Sequence, residues 1–181
     1  MILSDSELVE MLREPRTRRE GFAVLVKQYS EKLYWKVRRI VLSHEDANDV
    51  LQNVFIKVWS NLQNFQGKSS LSTWLYRIAV NESLDFLRKQ KQADKVSADE
   101  DDSVASRLMS DEYFDGDEVQ ARLQEAVARL PEVQRTVFNL KYFEEMKYSE
   151  MSQILNTSEG ALKASYHLAV KKITEYLHLF D

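Results

Sequence analysis

The chain has 181 residues, no cysteine, and 25 basic against 29 acidic side chains, a net charge of −4. That length allows one large domain or two small ones. The lack of cysteine excludes disulfides, iron–sulfur clusters, thiolate zinc and a thiol nucleophile, while four glycines and two prolines point to helix rather than a β-rich or Rossmann-like chain. The charge is uneven: residues 1–92 are net +4, residues 93–120 net −8 and residues 121–181 net 0. The overall sign therefore says little about either flank. Ser4, Asp5, Glu7 and Glu10 interrupt any signal-like start, and no apolar run approaches the roughly 18–20 residues of a membrane span. A cytoplasmic protein is expected.

Residues 4–13 read as a short helix with Ser4 as cap, Glu7 in the capping-box position and Leu8, Met11 and Leu12 on its apolar side. Pro15 marks its stop. Over 20–42, Phe22, Leu25, Val26, Tyr29, Leu33, Val37, Ile40 and Val41 recur at three and four, the period of a long amphipathic helix. Ser43 caps the next, in which Val50, Leu51, Val54, Phe55, Val58 and Trp59 alternate with Asp46, Asp49, Gln52, Asn53 and Lys57. Residues 61–70 break the pattern. Gly67 permits a turn there, and Ser69 or Ser70 caps a helix running to about 90. Leu71, Leu75, Ile78, Ala79 and Leu84 supply its inward face, with Trp74, Arg77, Asn81, Asp85, Arg88, Lys89 and Lys91 as candidates for outer or end surfaces.

Residues 93–117 lack clear periodicity and read as an acidic tether with a transient helix near 104–109. The helical rhythm returns at Glu118, with Val119, Leu123, Val127 and Leu130 before Pro131 and Val133, Val137, Phe138 and Leu140 after it. The expected fold is all-α: a helical domain over 1–92, a linker over 93–117 and a second helical domain over 118–181.

Within the second domain, Ser149 is read as the cap of a short helix burying Met151, Ile154 and Leu155. Asn156-Thr157-Ser158 makes a turn, and Ser158 caps a longer helix with Leu162, Ala169 and Ile173 inside. This is helix-turn-helix spacing. Glu159, Gly160, Lys163, Ala164, Ser165 and His167 are placed at or near its outer face, where Lys163 suits a phosphate or a guanine edge. Lys171 and Lys172 suit phosphates. The same geometry also occurs in proteins that never touch DNA.

In the first domain, Phe65, Trp74, Tyr76, Arg77, Asn81, Arg88 and Lys89 place rings beside cations and amides, the chemistry of single-strand binding. The alternative is that Trp74 and Tyr76 complete the core. The Gly67-Lys68-Ser69 run lacks the upstream glycines and preceding strand of a phosphate loop. His44, His167 and His178 are too scattered for a metal site, and no nucleophile has a recognisable base. An enzyme is the least favoured class, and neither a metal nor a small-molecule cofactor is implied.

Three segments resemble a known family. Asp49-Val-Leu-Gln52-Asn53-Val-Phe55 with Trp59, the run from Phe65 through Ser69-Ser70-Leu-Ser-Thr-Trp74-Leu-Tyr-Arg77-Ile-Ala to Asn81, Asp85 and Arg88-Lys89, and Leu130-Pro-Glu-Val-Gln-Arg135 through Gly160 and Lys163 to Lys171-Lys172 are similar to regions 2.2, 2.3–2.4 and 4 of bacterial RNA polymerase sigma factors of the extracytoplasmic-function type. The resemblance implies a promoter-specificity subunit. Asp49, Gln52, Asn53, Phe55 and Trp59 would dock on the β′ clamp helices. Phe65, Lys68, Ser69, Ser70, Trp74, Arg77, Asn81, Asp85 and Arg88 would hold the −10 element as it opens. Ser158, Glu159, Gly160, Lys163, Ala164, Ser165, His167, Lys171 and Lys172 would read the −35 duplex, with region 4 also meeting the β flap. An anti-sigma factor is a further implied partner. Asn53 stands where the family usually has an acid, and Ser165, Leu168 and Val170 stand where it commonly has arginine, so little duplex affinity is expected of the free chain. Two other readings stay open: a DNA-binding regulator with a dimerisation or sensing module, and a helical adaptor that binds only protein.

Overall fold

The computed structural model describes residues 2–93 and 116–181, with the side chain of Lys91 left aside. Residues 94–115, where most of the acidic tether and the transient helix near 104–109 are expected, lie outside the described residues. Every regular element among the described residues is helical, and the chain divides into two compact units, Met1–Lys95 and Val96–Asp181.

The first unit holds α1 (Asp5–Arg13), α2 (Arg18–Val41), α3 (His44–Asn61), a 3₁₀ turn (Leu62–Asn64) and α4 (Leu71–Ala93). Local chemistry sets most of the boundaries. Ser4 and Glu7 form the expected capping box, Ser43 Oγ accepts from the Asp46 N–H, and Ser70 Oγ accepts from the Thr73 N–H at 3.1 Å. Gly67 sits at φ +71°, a left-handed conformation that glycine adopts without the steric cost of a Cβ. α2 is the hub, packing against α1, α3 and α4. Leu8, Leu25, Leu33, Val37, Val50, Val54, Val58, Leu71 and Leu75 are all essentially inaccessible.

On α4 the inward stripe differs from the expected one. Ile78 and Leu84 are only half-buried, while Val80, Ser83 and Leu87 are inside. The Ser83 hydroxyl is tolerated there because it donates to the Ala79 carbonyl at 2.7 Å.

Gly21 allows α1 to lie close against α2: a Cβ there would stand 2.8 Å from Met11 Cβ. Alanine gains up to about 1 kcal/mol of helix propensity, but overpacking costs about 1–3 kcal/mol. Gly21→Ala is therefore expected to lower the melting temperature of the first unit, read by tryptophan fluorescence. A raised midpoint would mean that α1 shifts without penalty.

Lys36 is 9% exposed, with its ammonium 3.9 Å from the Tyr76 ring centroid. Burial, then Arg39 and Lys32, bring its pKa down to about 8. Between pH 8 and 10 the unfolded chain keeps this proton and the folded chain releases it, so stability rises with pH, by about 2 kcal/mol. Tyr29, buried and donating to Asp5 Oδ1 at 2.5 Å, has its pKa raised, as does Tyr76; these oppose the trend as the pH rises through the ordinary tyrosine range, weakly at pH 9.5 and strongly above 10. Denaturant titrations at pH 7.5 and 9.5 are expected to show the gain, and Lys36→Met to remove it.

The second unit holds α5 (Glu118–Ala128), α6 (Glu132–Phe138), a π turn (Asn139–Phe143), α7 (Tyr148–Leu155), α8 (Glu159–Leu177) and a closing 3₁₀ turn (His178–Phe180). Its core joins Ala126, Val127, Leu130, Phe138, Ala169 and Ile173, with α8 touching α5, α6 and α7. Val119 and Val133 do not join it. They are 73% and 64% exposed, although their spacing fits the apolar rhythm. α7 begins at Tyr148, so Ser149 is inside the first turn rather than its cap. Lys147 takes the cap position, and its N–H donates to Glu150 Oε2 at 3.4 Å.

Candidate nucleic-acid and partner interfaces

Trp74, Arg77, Asn81, Asp85 and Arg88 recur at three and four along α4, so one stripe of that helix carries them. The loop ahead of α4 is tied to this stripe by aromatic contact: Phe65 and Trp74 have ring centroids 5.0 Å apart at 48°. Asn81 and Arg88 are exposed, while Trp74 and Arg77 are half-buried rather than fully outside. Trp74 therefore has part of its ring in the packing and part in solvent. Arg77 Nε is buried with no hydrogen-bond partner among the described residues. Arg88 pairs with Asp85 at 2.6 Å, an exposed contact worth at most about 1 kcal/mol and easily exchanged. Lys68 and Ser70 are exposed on the loop and Ser69 is half-buried.

A second surface lies on α2 and α3. Phe22 packs edge-on against Trp59 at 5.0 Å and against Phe55 at 6.4 Å. Trp59 remains 42% exposed and Ile56 63% exposed. Asp49, Gln52 and Asn53 are exposed on the same helix. A shallow depression beside Trp59 is lined by Arg18, Ser60, Leu62 and Gln63. Phe22 and Ile56 are the residues that sequence reasoning missed. Phe22 comes from another helix, and Ile56 falls outside the polar pattern that drew attention to this one. Lys57, read only as a polar-face residue, forms an ion pair with Glu82 and so ties α3 to α4.

The third surface is the helix-turn-helix of α7 and α8. Asn156 takes a left-handed conformation (φ +50°), ending α7 with its N–H on the Ser152 carbonyl. Ser158 caps α8 through the Ala161 N–H at 3.3 Å. Leu162, Ala169 and Ile173 are buried as their spacing requires. Glu159, Gly160, Lys163, Ala164, His167, Lys171 and Lys172 are exposed; Ser165 is half-buried and lies off that outer stripe. Nothing stands within 4 Å of a Cβ built at Gly160, so the helix start is open to close approach. Leu168 and Val170 are 45% and 38% exposed and add apolar surface to α8.

Residues 25–93 match the family described as Sigma-70 region 2, and residues 120–173 match Sigma-70, region 4. The chain is 32% identical to the ECF RNA polymerase sigma factor SigW of Bacillus subtilis, covering 82% of this chain and 84% of that one. It is 31% identical to the RNA polymerase sigma-H factor of Pseudomonas aeruginosa, over 96% and 93% of the two chains. The chain belongs to the extracytoplasmic-function sigma factors. Directing RNA polymerase to promoters is the function that goes with this membership. A sigma factor RpoE from Bartonella quintana, solved in complex with the anti-sigma factor NepR, shares the fold, with a TM-score of 0.71 at 21% identity over 88% of this chain and 98% of that one.

The sigma factor's region 2 match spans the second surface, the loop and the α4 stripe, while the region 4 match takes in the helix-turn-helix. Phe22 lies ahead of the region 2 match and still completes its aromatic face. Among the described residues no group of His, Asp and Glu could hold a metal ion, and no helix is long and apolar enough to cross a membrane.

Proposed function

We propose that this sigma factor binds core polymerase through the face of Asp49, Gln52, Asn53, Phe55 and Trp59, extended by Phe22 and Ile56, with the β′ clamp helices as its partner. The loop before α4 and the α4 stripe capture the −10 element as a single strand. Phe65 and Trp74 offer stacking surfaces worth about 1–3 kcal/mol per base, against the few kcal/mol needed to unstack one. Arg77, Asn81 and Arg88 supply donors beside them. α8 reads the −35 duplex from Ser158 through His167, with Lys171 and Lys172 on phosphates. The β flap is a further region 4 contact.

The domain boundaries follow as 1–92, 93–117 and 118–181, with the acidic tether raising the local concentration of the second reader once the first engages. Such a subunit works in the cytoplasm. An anti-sigma factor is its natural regulator, a reading supported by the structurally similar sigma factor having been solved with one.

The observation that carries the reading is the alignment of Phe65, Trp74, Arg77, Asn81 and Arg88 along one loop and one helix stripe. The experiment is core-dependent transcription on a promoter library with and without the chain. Sequence-specific initiation from bipartite, asymmetric sites is expected, and alanine at Trp74, Arg77 or Asn81 is expected to slow open-complex formation. Binding of the isolated chain to a palindrome, with no core-dependent initiation, would favour a free-standing regulator instead.

A further inference from the structure

The exposed surface of α8 has two chemically different flanks. Lys163 and His167 stand on one. Ala161, Ala164 and Leu168 stand on the other, spaced by three and four, so one stripe of the helix carries them. All three are exposed, Leu168 at 45%. The core takes Leu162, Ala169 and Ile173 from α8 and leaves this stripe to solvent. Val170, two residues beyond Leu168, falls on the opposite side of the helix and is not part of it. Residues 160–173 hold three lysines and no acid. Apolar side chains within a cationic stretch complement a partner that is anionic at its rim and carries methyl groups inside. The major groove of duplex DNA is such a partner, because each thymine presents its C5 methyl there between the phosphate backbones. Seven residues separate Ala161 from Leu168, about 10 Å of helix, which matches about three stacked base pairs.

We propose that Ala161, Ala164 and Leu168 read the C5 methyl groups of thymines in the upstream duplex element, with Leu168 as the main specificity-determining side chain. The inference rests on the reading of α8 as the duplex reader and deepens it. It adds Ala161 and Leu168 to that surface, continuous with it at Ala164, and it names the base they select. None of the three side chains can donate or accept a hydrogen bond, so they are blind to the donor and acceptor pattern of the groove and select by the methyl alone. The open helix start at Gly160, where nothing stands within 4 Å of an added Cβ, lets α8 approach closely enough for two short alanines to make contact. Each methyl taken from water against this stripe is worth about a fourfold change in affinity. The upstream element therefore carries thymine at one or more of about three adjacent base pairs.

The test uses holoenzyme assembled from core polymerase and the full chain, titrated at fixed salt with the promoter duplex recovered from the library. Each thymine of the upstream element is replaced in turn by deoxyuridine, which removes the methyl and keeps every hydrogen-bonding group. Wild-type holoenzyme is expected to bind about fourfold more weakly at one or more adjacent positions. Leu168→Ala is expected to abolish the uridine effect at one of them, and to weaken binding to the thymine duplex by a similar factor. At that position 5-methylcytosine, paired with guanine, is expected to bind wild type about fourfold more tightly than cytosine does. The two modified-base arms use the wild-type chain, so they decide the question whatever the stability of the variant. A library without an upstream duplex element would overturn the reading of α8, and the methyl reading with it. An upstream element with no A·T pair, or one indifferent to every uridine, would overturn the methyl reading alone. So would a Leu168→Ala defect of equal size on thymine and uridine duplexes, which would place a protein partner on the stripe.

Discussion

Leu162→Ala is expected to unfold the second unit while the first stays folded. Leu162 is 1% exposed and lies among the buried contacts that hold α8, with Met151 fully buried in the preceding helix. Removing a buried leucine to alanine costs about 2–5 kcal/mol, the larger values where the site cannot collapse. A unit of this size has little reserve, because small domains bury a smaller fraction of their surface. The readout is built into the sequence. All three tryptophans, Trp35, Trp59 and Trp74, lie in the first unit. Tryptophan fluorescence should therefore retain a cooperative thermal transition in the variant, while helical ellipticity at 25 °C falls. Retention of full ellipticity would mean that the α7–α8 packing tolerates the cavity. Loss of both signals together would mean that the two cores unfold as one.

How far such effects were legible in the sequence depends on how local their causes are. The Ser4–Glu7 box, the Ser43 and Ser158 caps and the Gly67 turn are decided within three or four residues, and each stands where the sequence puts it. Ser149 misled because Glu150 reaches back to Lys147 instead, and a serine one position away offers the same local signal. The inward side of α4 was less legible. Ile78 and Leu84 fit an apolar period, but α4 packs against three other helices, and their arrangement selects Val80, Ser83 and Leu87. Lys36 shows the same limit from the other side. No periodicity argument buries a lysine, whereas a Tyr76 ring on the facing helix does.

The candidate sites follow this division. The α4 stripe is a property of one helix and is visible as spacings of three and four. The pairing of Phe22 with Trp59, and the placement of Lys141 and of Lys163 each against the Tyr148 ring, join residues from separate elements, and only the fold brings them together. The net charge has the same lesson in it. The −4 of the whole chain conceals a basic stretch over 1–92, an acidic one over 93–120 and, within the neutral residues 121–181, a local cluster of lysines. Local arrangement, more than the total, sets what each surface attracts.

Trp59→Ala is expected to weaken the binding of core polymerase by at least about 30-fold, the consequence of losing a hot-spot aromatic worth about 2 kcal/mol or more. Trp59 suits that role because it is held and exposed at once. Phe22 braces it edge-on at 5.0 Å, so little side-chain freedom remains to be lost on docking, and 42% of its surface is open. Ile56, 63% exposed on the same helix, extends the apolar centre, while Asp49, Gln52 and Asn53 supply polar groups around it. The folded unit should survive the change, since Val50, Val54 and Val58 hold α3 to the core from the other side. Asn53→Asp would place an acid where the sequence resemblance to the family implies one. It is expected to tighten binding by no more than about fivefold, because an exposed charge contributes at most about 1 kcal/mol. Competition against a fluorescently labelled wild-type chain for core polymerase measures both. A Trp59→Ala chain that competes as well as wild type, with an unchanged melting transition, would move the polymerase contact away from the α2–α3 face. An Asn53→Asp effect larger than that of Trp59 would mean that the contact is governed by charge rather than by burial of the aromatic cluster.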